Sequence, residues 1–153
     1  MALKAEMRVY DFDGTHLEGP RDNGSSLVYE FTNNMYLPTD VENRFHQSRI
    51  RDFMIVKEID QLTPQLYQAL AQNAQWEKVV ITLFRINPTA GDEEPYFEFT
   101  LEDVRITSVQ TYMKATNIRE FEDLGHLEKV VFHSRTITWT HLPGNIEFTD
   151  EAF

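Results

Sequence analysis

Two aspartates one residue apart, Asp11 and Asp13, stand in the pentapeptide Asp11-Phe12-Asp13-Gly14-Thr15, directly after the apolar-rich run MRVY. That spacing suits phosphoryl transfer, with Asp11 as nucleophile on phosphorus, Asp13 as proton donor and Mg²⁺ neutralising the charge. The same five residues also make an ordinary Asp-Gly turn after an N-terminal strand. Seating Mg²⁺ takes further carboxylates and holding a phosphate takes a cation, so a second aspartate pair after a later apolar strand and a lysine in matching context are the features to look for. The chain offers no second pair and no such lysine. Short motifs of this kind arise by chance, so the turn is the reading adopted and no catalytic residue is assigned.

The other chemistry-bearing residues point the same way. His16, His46, His126, His133 and His141 show no metal spacing such as HxxxH or HxH. Asp92-Glu93-Glu94 would attract calcium, but the loop lacks the alternating oxygen ligands of a dedicated site, and a solvated turn is expected. No Ser or Thr has the local frame of a nucleophile elbow. Trp76 and Trp139 are able to stack a sugar or base, yet each adjoins an apolar strand and reads as core. No metal, cofactor or enzymatic activity is expected.

The elements around these residues are mostly strands. The stretch Phe53–Ile86 reads strand, helix, strand: FMIVKEID, QLTPQLYQALAQNAQ, WEKVVITLFRI. Thr63 is the expected N-cap and Pro64 the first helical residue, where its missing N–H costs nothing. Leu66, Leu70 and Ala74, with Tyr67 and Ala71 beside them, give one apolar stripe, and Asn73 is suited to end the helix. A helix of about three turns is too short to stand alone in water and must lie on an apolar surface. Leu70→Asp is accordingly expected to unfold the domain.

Alternation marks the strands. Leu27, Tyr29, Phe31, Met35 and Leu37 sit at odd positions with polar residues between them, the pattern of a half-buried strand. Phe97, Phe99 and Leu101 change parity to Val104 and Ile106, which places a tight connection or bulge near Glu102-Asp103. Val130 and Phe132 change to Ile137 and Trp139, which places a slip near Ser134-Arg135. The sum is about seven strands and one helix in a single domain, residues 1–153. The expected architecture is mainly β: a closed or nearly closed antiparallel barrel of two packed sheets, since closure removes unpaired edges. Three polar loops stand out, 38–49, 87–95 and 114–126.

Composition bounds the partners. With 25 acidic and 14 basic side chains the formal net charge is −11. DNA or an anionic membrane face would repel such a surface, so neither nucleic-acid binding nor membrane insertion is expected. A domain of this length buries roughly 70% of its unfolded surface and needs no staple. It has no cysteine, which fits a reducing cytosol. The opening MALKAEMRVYDFDG lacks the apolar run of a signal peptide, so any export is expected to proceed without one.

An ordered set of segments resembles the haemolysin-coregulated protein (Hcp) family. The set comprises Glu30-Phe31, Pro38-Thr39-Asp40, Lys57-Glu58-Ile59-Asp60, Thr63-Pro64, Ala69-Leu70-Ala71, Tyr96–Ser108 and Leu127–Thr140. The family supplies the inner-tube subunits of the bacterial type VI secretion system. The resemblance implies a structural protein whose six copies form a ring around a channel. Rings stack into a tube inside a contractile sheath, with spike and baseplate components as partners and small effectors carried inside. It also implies a start in the cytoplasm and delivery outside the cell or into a target cell. It places charged contacts between rings on the 38–49 loop, at Glu42, Arg44, Arg49 and Arg51, and turns Gln65, Gln68 and Gln72 outward at the subunit surface. Ile50-Arg51-Asp52 stands where many members carry His-Lys-Pro, a departure beside that loop. A phage-type tail-tube subunit is the near alternative. The likeness of Asp11–Thr15 to the opening of the haloacid dehalogenase phosphatases spans only five residues.

Overall fold

The computed structural model describes residues 3–39, 49–121, 123 and 125–151. Nine strands and one α-helix follow in the order β1 (Ala5–Tyr10), β2 (His16–Leu17), β3 (Ser26–Leu27), β4 (Glu30–Tyr36), β5 (Ile50–Glu58), α1 (Thr63–Ala71), β6 (Gln75–Ile86), β7 (Glu93–Tyr112), β8 (Leu127–His141) and β9 (Ile146–Glu151). A single 3₁₀ turn, Arg119–Phe121, interrupts the 113–126 segment. All ladders are antiparallel and form one sheet in the order β2-β1-β6-β7-β8-β5-β4, with β3 also on β1 and β9 also on β8.

The fold is mainly β and antiparallel with one helix, as expected; its ladders run as one continuous sheet, and no closing ladder joins the ends among the described residues. The chain between β3 and β4 links those ends instead. Val28 N–H donates to Ala5 O at 2.9 Å and Tyr29 N–H to Val56 O at 2.8 Å. The expected strand from Leu27 to Leu37 is broken there, because the segment leaves β1 and joins β5 within two residues. Only Phe31 of its apolar series packs on the core, stacked 5.9 Å from Phe53, while Leu27, Tyr29, Met35 and Leu37 stay exposed.

Both parity changes mark a kink that crosses three strands. Glu77, Asp103 and Arg135 face one another yet drop out of the β6–β7 and β7–β8 ladders, whose register is the same on either side. Asp103 adopts φ +53°, a left-handed conformation that aspartate tolerates, and it lets Leu101 and Val104 both point inward. Thr107 is a second irregularity, between Ile106 and Ser108. The strand is continuous through both, so Tyr96–Ser108 is part of one 20-residue strand and not a pair.

The core lies against the concave face, around Met7, Val9, Phe53, Ile55, Val79, Ile81, Leu101, Val130, Phe132 and Ile137. Trp76 joins it, and Trp139 packs on its edge with Nε1 donating to Asn33 Oδ1 at 2.8 Å.

Helix α1 closes one end of this core with Leu62, Leu66 and Ala69, and with a half-buried Leu70. Tyr67 and Ala71 face solvent, contrary to the expected stripe. The N-terminus also differs from expectation. Leu62 occupies the cap position, and Asp60 does the capping from outside. Its carbonyl accepts Thr63 N–H at 3.1 Å and its carboxylate accepts Leu62 N–H at 2.8 Å. Thr63 Oγ1 points back to accept Asp60 N–H, so it fastens the turn before the helix. At the other end Asn73 takes φ +51°. Its N–H reaches Leu70 O and that of Ala74 reaches Ala69 O, the paired bonds of a Schellman end.

Burial fixes which substitution matters here. Leu66 is 0% exposed. Leu66→Ala is expected to cost about 2–5 kcal/mol, read as a lower urea midpoint with unchanged slope. Leu70→Asp, at the half-buried edge, is expected to cost less than Leu66→Asp.

Candidate functional site

The Asp11–Thr15 segment is the hairpin turn between β1 and β2. Asp11 Oδ1 accepts Asp13 N–H at 3.0 Å and Thr15 N–H at 2.9 Å, and Gly14 N–H donates to Asp11 O at 3.0 Å. Gly14 holds φ +82°, and a Cβ there would meet Glu77 Oε2 at 2.5 Å. The first aspartate thus folds its own turn, between two strands of an antiparallel sheet.

The same turn faces α1 across an open groove of about 320 Å³. Asp11, Phe12 and Asp13 form one wall, and Gln65, Gln68 and Gln72 form the other, with Ala69, Ala74 and Trp76 also lining it. All three glutamines are exposed. What sequence alone did not bring together was the Asp-Gly turn and the glutamine face, which are 50 residues or more apart in the chain. Their joint signal is the β1–β6 pairing, which sets Tyr10 against Lys78 just beyond the end of α1.

The charged residues expected to reach a neighbouring ring divide three ways. Glu42 and Arg44 lie outside the described residues. Arg49 is exposed, but its Nη2 pairs with Asp150 Oδ1 at 2.8 Å and bonds Glu151 O at 3.3 Å. Arg51 is buried, and the expectation that it makes contacts between rings is corrected. Its Nε donates to Asp150 Oδ2 at 3.1 Å, Nη1 to Ser134 O at 2.8 Å and Nη2 to Arg135 O at 2.6 Å. These carbonyls lie where β8 leaves β5 after Phe132 and takes up β9 at Thr136, while β7 still pairs with Ser134 on the other side. The guanidinium's fork supplies a donor to each. Burial pulls the Arg51 pKa below the usual arginine value; Asp150 opposes that fall and Arg49 adds to it.

A second buried network went unread in the sequence. Lys57, Glu128 and Asp60 meet where β5 and β8 pair. Lys57 and Glu128 are both 0% exposed. The Lys57 ammonium contacts Glu128 Oε1, lies 2.8 Å from Asp60 Oδ1 and donates to Glu58 O at 3.2 Å. Asp60 Oδ2 further accepts Ser26 Oγ at 3.1 Å. No cluster of three or more metal-binding side chains occurs among the described residues.

Two strips of apolar side chains remain uncovered. Met35, Tyr36, Leu37 and Ile50 are 41–50% exposed at the end of the β4–β5 hairpin, and Ile146 and Phe148 are 69% and 62% exposed on β9. Both β4 and β9 pair on one side only among the described residues.

The chain belongs to the family described as "Type VI secretion system effector, Hcp", matched over residues 8–141, and is a structural, non-enzymatic protein of that system. It is 32% identical over 133 residues to the "Major exported protein" of Pseudomonas aeruginosa, covering 83% of this chain and 73% of that one. The solved structure of the Hcp1 protein from the E. coli EAEC 042 pathovar superposes with a TM-score of 0.87 at 29% identity, over 99% of this chain and 100% of that one. The secreted protein Hcp3 from P. aeruginosa shares the fold with a TM-score of 0.74 at 23% identity, over 99% of each chain.

Proposed function

We propose that six copies of this chain close into a ring around an open channel, and that rings stack into the inner tube of a type VI secretion system. The observation that carries this reading is the pair of open edges. A lone subunit leaves Met35, Tyr36, Leu37, Ile50, Ile146 and Phe148 in water beside unpaired strand backbone. A contact between unlike patches on successive copies closes a ring when its rotation fits, and a second contact along the axis extends it. Closure makes the last contact of each ring intramolecular, so modest interfaces suffice. Family membership supports the same assembly.

In this reading the tube sits inside a contractile sheath, carries a spike at its tip, meets the baseplate at its root and holds small effectors in its channel. The subunit starts in the cytoplasm of the producing bacterium and leaves with the tube. Segment 38–49, with Glu42 and Arg44, reaches the adjoining ring. The axial contact is the weaker one, so that the tube comes apart after delivery. The test is light scattering of the purified protein at micromolar concentration. A mass of six subunits is expected, and a monomer contradicts the proposal.

A further inference from the structure

Register gives β7, β8 and β9 a shared outer face that no one strand displays. Thr100, Thr138 and Thr149 form one row across the three strands, and the hydroxyls of Thr138 and Thr149 meet at 2.9 Å. Glu98, Thr140 and Glu147 form the row on one side of it, and Glu102, Thr136 and Glu151 the row on the other. Directly paired residues point to the same side of a sheet. Phe99 and Leu101, at the positions between, point to the core. Along β9 the exposed Ile146 and Phe148 alternate with Glu147 and Thr149, so they lie on the opposite side. A contact that covers that apolar strip leaves the threonine face open.

The chemistry of this face selects a partner. Two strand spacings of about 4.8 Å separate Glu98 from Glu147, and Glu102 from Glu151, by roughly 10 Å. Four residues along β7 separate Glu98 from Glu102 by about 13 Å. Carboxylates that far apart do not share one metal ion, whose oxygen ligands lie about 2.0–2.6 Å from it. They repel phosphate-bearing ligands. Glu98, Glu102 and Glu147 make no ion pair among the described residues, and Glu151 makes an exposed one with Arg135 at 3.4 Å. The cations nearest in register are engaged elsewhere: Lys78 lies 4.7 Å over the Tyr10 ring, and Arg8 lies 3.6 Å from the buried Glu6.

We propose that this face docks a basic polypeptide surface, with lysine or arginine side chains about 10–13 Å apart against the four carboxylates. The threonine hydroxyls, which both donate and accept, bond the polar groups between those cations. None of the nine residues is apolar, so the contact is electrostatic, weakened by salt and readily reversed. It needs one subunit's sheet face and no particular number of copies.

The test uses a fluorescein-labelled octalysine peptide, whose anisotropy reports binding to the full chain. Binding is expected at low ionic strength and is expected to fall as salt rises. A chain of net charge −11 attracts any polycation, so two variants of equal charge separate the face from the total. Glu98→Gln/Glu102→Gln/Glu147→Gln removes three carboxylates from the face. Asp13→Asn/Asp92→Asn/Glu120→Gln removes three exposed ones elsewhere. The face variant is expected to lose about tenfold more affinity than the other, because three exposed ion pairs, each worth a few-fold, multiply. Equal losses, or no binding by the parent, overturn the proposal. Should the face variant fail to fold, Thr149→Lys sets a cation on the exposed edge of the same face and is expected to weaken binding severalfold; an unchanged affinity overturns the proposal equally. Light scattering reads the ring separately, so a monomeric parent with the expected preference upholds this contact while contradicting the ring.

Discussion

Arg51→Ala is expected to destabilise the subunit by about 3–5 kcal/mol, the usual consequence of removing one partner from a buried ion pair. The physical reason is specific to the place. At Ser134 and Arg135 the β8 strand has lost β5 and not yet gained β9. Arg51 donates to both carbonyls and to the Asp150 carboxylate. Without it those bonds are lost, the Asp150 carboxylate loses its buried partner, and β9 keeps only the more exposed pairing of Arg49 with Asp150. For a chain of this size the loss corresponds to a fall in Tm on the order of 10 °C. Arg51→Lys restores the charge but not the fork, and is expected to recover only part of it. A thermal midpoint for Arg51→Ala within a degree of the parent would mean that the fork is held by other contacts.

Lys57→Met is expected to have an effect of similar size, about 3–5 kcal/mol, for a different reason. Glu128 is fully buried, and neither of its carboxylate oxygens has a hydrogen-bond partner among the described residues, although Oε1 contacts the Lys57 ammonium. Lys57 is the cation that offsets its charge, so truncating the lysine strands a carboxylate in the core. The double variant Lys57→Met/Glu128→Leu removes both charges and is expected to be less destabilised than the sum of the single changes, by more than the ~0.5 kcal/mol within which independent sites add. Urea titrations of the four proteins measure this coupling. Strict additivity would show that the two groups do not depend on one another.

These two networks also show where the sequence ran out. Period-two patterns are local, so the parity changes near Asp103 and Arg135 were readable as positions. That both belong to one kink, with Glu77 opposite, follows only from the register of three strands. Arg51 read as a surface charge because arginine is seldom buried, and Lys57 entered only as part of the Lys57–Asp60 segment. Their burial depends on Glu128, Asp60 and Asp150, which register and the C-terminal strand bring in from elsewhere. The exposed apolar residues of β4 were misread for a related reason. Alternation assigns Met35 and Leu37 to the face of Phe31, but it does not say how far along a strand the core extends.

The most direct measurement of the central claim is electron microscopy of the purified protein. Six-lobed annuli with a central hole are predicted, some seen side-on as short stacks. A field of separate globular particles at concentrations well above micromolar would contradict it.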